Sequence, residues 1–260
     1  MAYDFDGEKY KKASKHQKEW GNKVIEEMNI KENSIILDLG CGDGVLTQIL
    51  SSKVPKGKVI GIDASKGMIE TAKEIREYNL EFRLMDINNF HFEEKFDLIF
   101  SNAALHWVKD HKKLFDKCNN ELKDCGRIRF NFAGSGNCQN FFQVVREITM
   151  YEEYSTYFKD FEWPWYMPST NEYKKLAEET KVFKNISVYE EDADRYFQNK
   201  EELIGWIDQP SIVPFINILP QKIKKEFRDK VVKEMLKKTK QEDGTYFETF
   251  RRINILAEKA

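Results

Sequence analysis

The chain alternates short apolar runs with amphipathic stretches along its first half. Ser34-Ile35-Ile36-Leu37, Lys58-Val59-Ile60-Gly61-Ile62, Leu80 to Leu84 and Phe96 to Asn102 read as strands buried on both faces, because each is a near-continuous apolar run bounded by turn residues. Helical patterns separate them through Phe132, which predicts a mainly parallel sheet with right-handed crossovers. Ahead of the first strand, Glu8 to Met28 carries Tyr10, Ala13, Gln17, Trp20 and Val24 near one face at helical steps. After Ser135 the rhythm changes. An aromatic-rich stretch from Phe141 to Tyr166 leads to a helix near Asn171 to Glu179 and a strand near Phe183 to Tyr189. A second helical insert, Lys200 to Lys240, precedes a last strand at Thr245 to Ala257. Within it, Gln221 to Lys240 places Ile223, Phe227, Val231 and Met235 at four-residue steps among nine basic and three acidic residues, an amphipathic helix with a solvated charged face.

The pattern predicts an α/β fold, a doubly wound and mainly parallel sheet with helical cap insertions. It reads as one domain, with an N-terminal helical segment over 1–30 and a core over 31–135. The cap spans 136–180 and 196–242, and closing strands lie at 182–190 and 245–258. Its 260 residues suffice to bury a sizeable core.

Candidate chemistry concentrates at strand ends. Asp38-Leu39-Gly40-Cys41-Gly42-Asp43-Gly44 follows the first strand, and alternating glycines permit positive φ and close approach of a ligand to the main chain. The spacing is Gly-x-Gly-x-Gly with a preceding acid, not the Gly-x-Gly-x-x-Gly that seats pyrophosphate on a helix N-terminus. An acid there repels phosphate and suits a cationic ammonium or sulfonium group. Asp63, nineteen residues past Gly44, ends the second strand where such folds place an acid for ribose hydroxyls. Asp38, Asp63, Asp86 and Asn102 all stand at carboxyl ends of strands, where open parallel sheets bind ligands.

Together, Asp38 to Gly44, Asp63-Ala64-Ser65 with Met68, Leu80 to Leu84 followed by Asp86-Ile87, and Phe96 to Asn102 resemble a class I S-adenosylmethionine-dependent methyltransferase. Tyr10 to Trp20, the Ala103-Ala104-Leu105-His106-Trp107 loop and Tyr246 to Lys259 are similar to the trans-aconitate and juvenile hormone acid methyltransferase group. The resemblance implies a Rossmann-like sheet of about seven strands, the last antiparallel, with the segment over 1–30 as a helical lid, S-adenosylmethionine as cofactor and S-adenosylhomocysteine as product. It implies backbone contacts from Gly40, Cys41 and Gly42 to the methionine moiety, with Asp38 facing its ammonium and Asp63 accepting from the ribose. Asp86 would read the adenine amino group, Ala64 (beside Ser65), Met68 and Ile87 would hold the ring, and Asn102 and Ala103 would flank the methionine. Tyr10, Gln17 and Trp20 would belong to a lid. His106 and Trp107 are the catalytic candidates, and Trp20, His106, Trp165 and Trp206 the acceptor-pocket candidates. At His106 three roles stay open: a carboxylate clamp, a base, or a helix-entry histidine bonded to the backbone.

Composition narrows the acceptor. With 42 basic and 44 acidic residues, the net charge of −2 provides no general field for nucleic acid. Cys41, Cys118, Cys125 and Cys138 form no C-x-x-C pair or zinc spacing, so no metal is expected and reduced thiols fit a cytoplasmic protein. No apolar run approaches membrane-spanning length. The expectation is a monomer or weak homodimer that O-methylates a small carboxylic acid. A hydroxyl, an amine or a carrier-bound malonyl group remains an alternative, as do, from other classes, an NAD-dependent reductase and a non-catalytic nucleotide-binding module.

Overall fold

The computed structural model describes residues 15–260, with the side chains of residues 15–17 and 209–210 outside that description. Tyr10 and Ala13 therefore lie outside the described residues. The chain forms two compact units, one running to Ser135 and adding Trp165–Glu191 and Arg252–Ala260, the other comprising Gly136–Pro164 and Asp192–Arg251.

The first unit is built on a seven-stranded sheet of β1 (Ile35–Leu39), β2 (Lys58–Asp63), β3 (Leu80–Leu84), β4 (Phe96–Asn102), β5 (Leu122–Ala133), β6 (Phe183–Asp192) and β9 (Arg251–Lys259) in the order β3-β2-β1-β4-β5-β9-β6. The inner strands are parallel, with Ile36 level with both Val59 and Leu98, and β9 runs antiparallel to β5. Side chains alternate across the sheet. Leu37, Leu39, Ile99, Ile128, Phe130 and Ile253 face a core completed by Leu114 and Phe115 of α4 (His111–Glu121) and by Tyr173 and Ala177 of α7 (Thr170–Thr180). Ile36, Val59, Leu98 and Phe100 face the other way, against Val24 and Ile25 of α1 (Lys15–Glu26) and Leu50 of α2 (Val45–Lys53). A short α3 (Lys66–Ala72) follows β2.

On the α1 side this apolar layer changes character at β5 and β9. Arg129, Asn131, Asn254 and Arg252 are all buried there, while their neighbours Ile128, Phe130, Phe132, Ile253 and Ile255 fill the opposite core. Asn131 stands level with Asn254 and donates to its side-chain oxygen at 2.9 Å, and Arg129 donates to the same oxygen at 2.9 Å. Asn254 Oδ1 thus takes two donors, whereas its Nδ2 has no hydrogen-bond partner among the described residues.

The second unit holds α5 (Gln139–Thr149), α6 (Glu152–Phe158), α8 (Lys200–Trp206), α9 (Val213–Asn217), α10 (Gln221–Thr239) and a hairpin of β7 (Arg195–Phe197) with β8 (Tyr246–Glu248). The stripe expected on α10 is buried at Phe227, Val231 and Met235. Two segments differ from the sequence reading. The helix after Ser169 groups with the sheet unit instead of the cap, because Tyr173 docks into the sheet core. The expected last strand is two strands, broken where Glu248 turns its carboxylate onto the backbone N–H groups of Asn140 and Phe141 and so caps α5.

Candidate active site

The glycine turn after β1 brings three strand ends to one point. The N–H groups of Gly40 and Cys41 both donate to Ile62 O, at 2.8 and 2.9 Å, which ties the end of β1 to the end of β2. Gly40 has φ 75°, and a Cβ there would stand 2.2 Å from Ala104 Cβ and 3.5 Å from Ile87 Cδ1. Only glycine fits both the left-handed backbone and the proximity of the loops after β3 and β4.

Asp63 organises the floor. Its carboxylate accepts from Gly42 N–H at 3.0 Å and Ser65 N–H at 2.8 Å, while Ser65 Oγ caps α3 by accepting from Met68 N–H. Met85 N–H donates to Asp63 O, so the β3 end carrying Asp86 and Ile87 stays beside it. Asp86 accepts from both the backbone and the side-chain amide of Asn88 at 2.8 Å, an Asx turn that fixes its carboxylate. Met68 is buried, whereas Ala64 and Ile87 are half-buried and present apolar surface near these acids.

Carboxylates dominate the electrostatics of the turn. Asp38 is buried and accepts from Thr47 Oγ1 at 2.8 Å. Burial pushes its pKa up to about 7, the Thr47 bond opposes this, and the Asp63 charge adds to it. Burial also raises Asp63, against the backbone N–H groups that hold it down. The Cys41 thiol is driven well up by burial and then by the charges of Asp63 and Asp38. A buried acid, Asp38, and a half-buried one, Asp63, beside the glycine turn suit a cationic group better than a pyrophosphate.

The loop after β4 is anchored from several sides. Ala103 takes φ 57°, a conformation costing about 1–3 kcal/mol for a residue with a Cβ, and its N–H donates to Asn131 O at 2.7 Å. His111 sits 3.0 Å by Nε2 from Leu105 O and 2.8 Å by Nδ1 from the Tyr173 hydroxyl. A carbonyl only accepts, so Nε2 carries the proton and Nδ1 accepts from Tyr173. The helix-entry histidine bonded to the backbone is thus His111, not His106. Tyr166 N–H fastens the loop again by donating to His106 O at 2.8 Å.

His106 itself is different. Its Nδ1 is buried with no hydrogen-bond partner among the described residues. Its pKa is pulled down to about 3, by burial first, then by the charge of Arg252 and then by His111. The imidazole is therefore neutral at physiological pH, so a carboxylate clamp at this residue would act by hydrogen bonding and not by charge. Trp107 lies 5.6 Å from His106 and 5.3 Å from Trp165, centroid to centroid, so these three rings gather. Trp20 instead covers the Arg252 guanidinium at 4.8 Å. Trp206 is buried in the second unit against Phe141, Phe197 and Phe250, a packing position within that unit.

Helix α1 lies over the glycine turn. Lys18 pairs with Asp43 at 2.6 Å. A Cβ at Gly21 would stand 2.2 Å from Leu46 and 2.9 Å from the Asn102 amide nitrogen, so this glycine lets α1 approach the end of β4. Gln17 belongs to α1, but its side chain, like all of Tyr10, lies outside the described residues. Sequence reasoning missed Thr47, Asn131, His111, Tyr173 and Arg252. Only Arg252 and Asn131 left a signal, the Arg-x-Asn alternations against isoleucine and phenylalanine in β9 and β5.

Comparison with known proteins agrees with this geometry. The methyltransferase-domain family matches residues 30–181. A malonyl-[acyl-carrier protein] O-methyltransferase of Ilyobacter polytropus is 29% identical over 180 residues, covering 68% of this chain but only 62% of that protein. A trans-aconitate 2-methyltransferase of Mycolicibacterium gilvum is 25% identical over 237 residues, covering 90% of this chain and 91% of the relative. Among solved structures, the YcgJ protein of Bacillus subtilis shares the fold with a TM-score of 0.62 at 15% identity, over 94% of this chain and 97% of that one. A Haemonchus contortus phosphoethanolamine N-methyltransferase, solved with S-adenosylhomocysteine, gives a TM-score of 0.57 at 20% identity, over 93% of this chain and 52% of that chain. With the family covering more than half of its length and the glycine turn and strand-end acids in place, the chain belongs to the class I S-adenosylmethionine-dependent methyltransferases.

Proposed function

We propose that this methyltransferase esterifies a carboxyl group of a small organic acid. The observation that carries the reading is the state of His106. A group with a pKa near 3 is a poor base for a hydroxyl or an ammonium, whereas a carboxylate arrives already ionised, with an ordinary pKa near 4, and needs none. The names of the trans-aconitate and malonyl-carrier relatives point to carboxyl acceptors as well. The cofactor supplies an activated methyl group on a sulfonium. An acceptor oxygen would take that methyl, the carbon–sulfur electron pair would stay on sulfur, and no proton would need to move. The protein's work is to orient the reactants and exclude water. Gly40, Cys41, Gly42 and Asp38 would hold the methionine end, with Asn102 and Ala103 beside it. Asp63 would hold the ribose, and Asp86, Ala64, Met68 and Ile87 the adenine.

Two pH dependences test this. At saturating cofactor and acceptor, kcat should stay flat from about pH 6 to 9, since the acceptor is ionised and His106 neutral throughout. A rate rising with an apparent pKa of 9 or 10 would instead mean a phenol or amine acceptor. Cofactor affinity should behave differently. Asp38 is protonated below about pH 7 and attracts an ammonium only above it, so calorimetry should find S-adenosylhomocysteine bound roughly tenfold more weakly at pH 6 than at pH 8. The same raised pKa means that Asp38 costs the ligand-free fold stability as pH rises from about 4 to 7, because the unfolded chain releases that proton first. A pH-independent affinity would remove Asp38 from the ammonium.

A further inference from the structure

We infer that Thr47 is a positioning residue for the cofactor, whose hydroxyl holds one oxygen of the Asp38 carboxylate so that the other is presented to the ammonium; this rests on the assignment of Asp38 to the ammonium above. Asp38 stands one residue before the end of β1, level with Gly61 and Phe100 of the flanking strands. Alternation along the strand puts it on the face of Ile36, which packs against Leu50 of α2. The buried residues of α2, Thr47, Leu50 and Ser51, recur at three- and four-residue steps, so Thr47 lies on the stripe that meets the sheet. It is fully buried, and its Oγ1 donates to Asp38 Oδ2 at 2.8 Å. The serines of the same helix behave otherwise. Ser51 Oγ donates back to Gln48 O at 2.8 Å and Ser52 Oγ to Ile49 O at 2.7 Å, the local bond that helical hydroxyls commonly make. Thr47 reaches out of its helix to the strand instead.

Packing alone would be served by valine, which has the same shape and suits the layer of Ile36, Leu50 and Phe100 without a polar atom to satisfy. The hydroxyl answers to Asp38. The other titratable and charged groups around that carboxylate are Asp63 at the end of β2, Cys41 and Asp43 on the glycine turn, and Lys18 of α1, which pairs with Asp43. Burial and the Asp63 charge favour the neutral acid, and the Thr47 bond opposes both. A hydroxyl that donates to a carboxylate stabilises its ionised form, the form that attracts an ammonium. One side chain thus fixes the carboxylate's orientation and keeps its charge available at neutral pH.

The test measures S-adenosylhomocysteine affinity by calorimetry across neutral pH in the full chain and in Thr47→Val, and follows the Asp38 carboxyl by NMR in the ligand-free proteins. In the wild type both should break near the Asp38 pKa of about 7. Loss of the hydroxyl should move both breaks up by roughly one pH unit, so that Thr47→Val binds roughly tenfold more weakly than wild type at about pH 6 but only about twofold more weakly at about pH 8. A packing defect would weaken binding by the same factor at every pH. Thr47→Ser, which keeps the hydroxyl, should restore the wild-type curve, and Thr47→Ala carries the comparison if the valine variant does not fold. In an Asp38→Asn background, Thr47→Val should leave the pH dependence unchanged, because Thr47 acts through that carboxylate. An unshifted carboxyl titration in Thr47→Val, or an affinity loss that is the same at every pH, would overturn the inference. A wild-type affinity flat across the range would sink the Asp38 assignment itself, whereas a pH-dependent wild type with an unshifted Thr47→Val would sink only the role of Thr47.

Discussion

Asp63→Ala is expected to weaken S-adenosylhomocysteine binding by about 2 kcal/mol or more, roughly thirtyfold, with a smaller loss of thermal stability. The carboxylate serves two structural partners, Gly42 N–H and Ser65 N–H, and it stands at the end of β2 where the proposed site would hold the ribose of the cofactor. Removing it deletes a charge-assisted acceptor for the ligand and leaves two backbone donors near the cradle without their partner. Asp63→Asn separates the two contributions, because an amide still accepts one N–H but lacks the charge. Calorimetry on both variants checks this. Unchanged affinity in the alanine variant would mean that the nucleoside lies elsewhere.

Gly40→Ala should cost more than its single methyl suggests. The new Cβ would meet Ala104 Cβ at 2.2 Å, far inside contact distance, and the backbone would hold φ 75° at a penalty of about 1–2 kcal/mol. Relief can come by moving the glycine turn away from the loop that carries His106, which would separate the proposed cofactor cradle from the proposed acceptor side. We expect at least tenfold weaker cofactor binding and a larger fall in turnover. The double variant Gly40→Ala/Ala104→Gly should recover part of this by removing the steric conflict, while the φ penalty remains, so the two changes will not add. Full additivity would show that the turn and the loop are not coupled through this contact.

Much of this was readable in the chain. Continuous apolar runs in β1, β2 and β4 encode strands covered on both sides, and the acids Asp38, Asp63 and Asp86 fall at strand ends because strand length and turn chemistry are local properties. What the chain concealed is tertiary. Asp38 reads from the chain as a strand-end acid facing a ligand, and its burial and its bond from Thr47, nine residues on, come only with the fold. His106 and His111 are near neighbours in sequence with opposite roles, one tied down by Leu105 O and Tyr173, the other left with an unsatisfied Nδ1. Nothing local distinguishes them. Arg252 likewise shows only its alternation in the expected strand over 245–258. It is buried, with Trp20 of α1 over its guanidinium and a bond to Asn131, which is 121 residues away. The split of the last strand has the same origin, since Glu248 bonds to a helix N-terminus more than a hundred residues earlier.

The most direct test of the central claim is methyl-labelled S-adenosylmethionine incubated with the protein and a fractionated extract, followed by mild alkali. Label in the small-molecule fraction that is released as volatile methanol is the predicted result, and the mass of that fraction identifies the acid. Label that survives alkali would place the methyl on a hydroxyl oxygen or a nitrogen and contradict the account of an acceptor that needs no base.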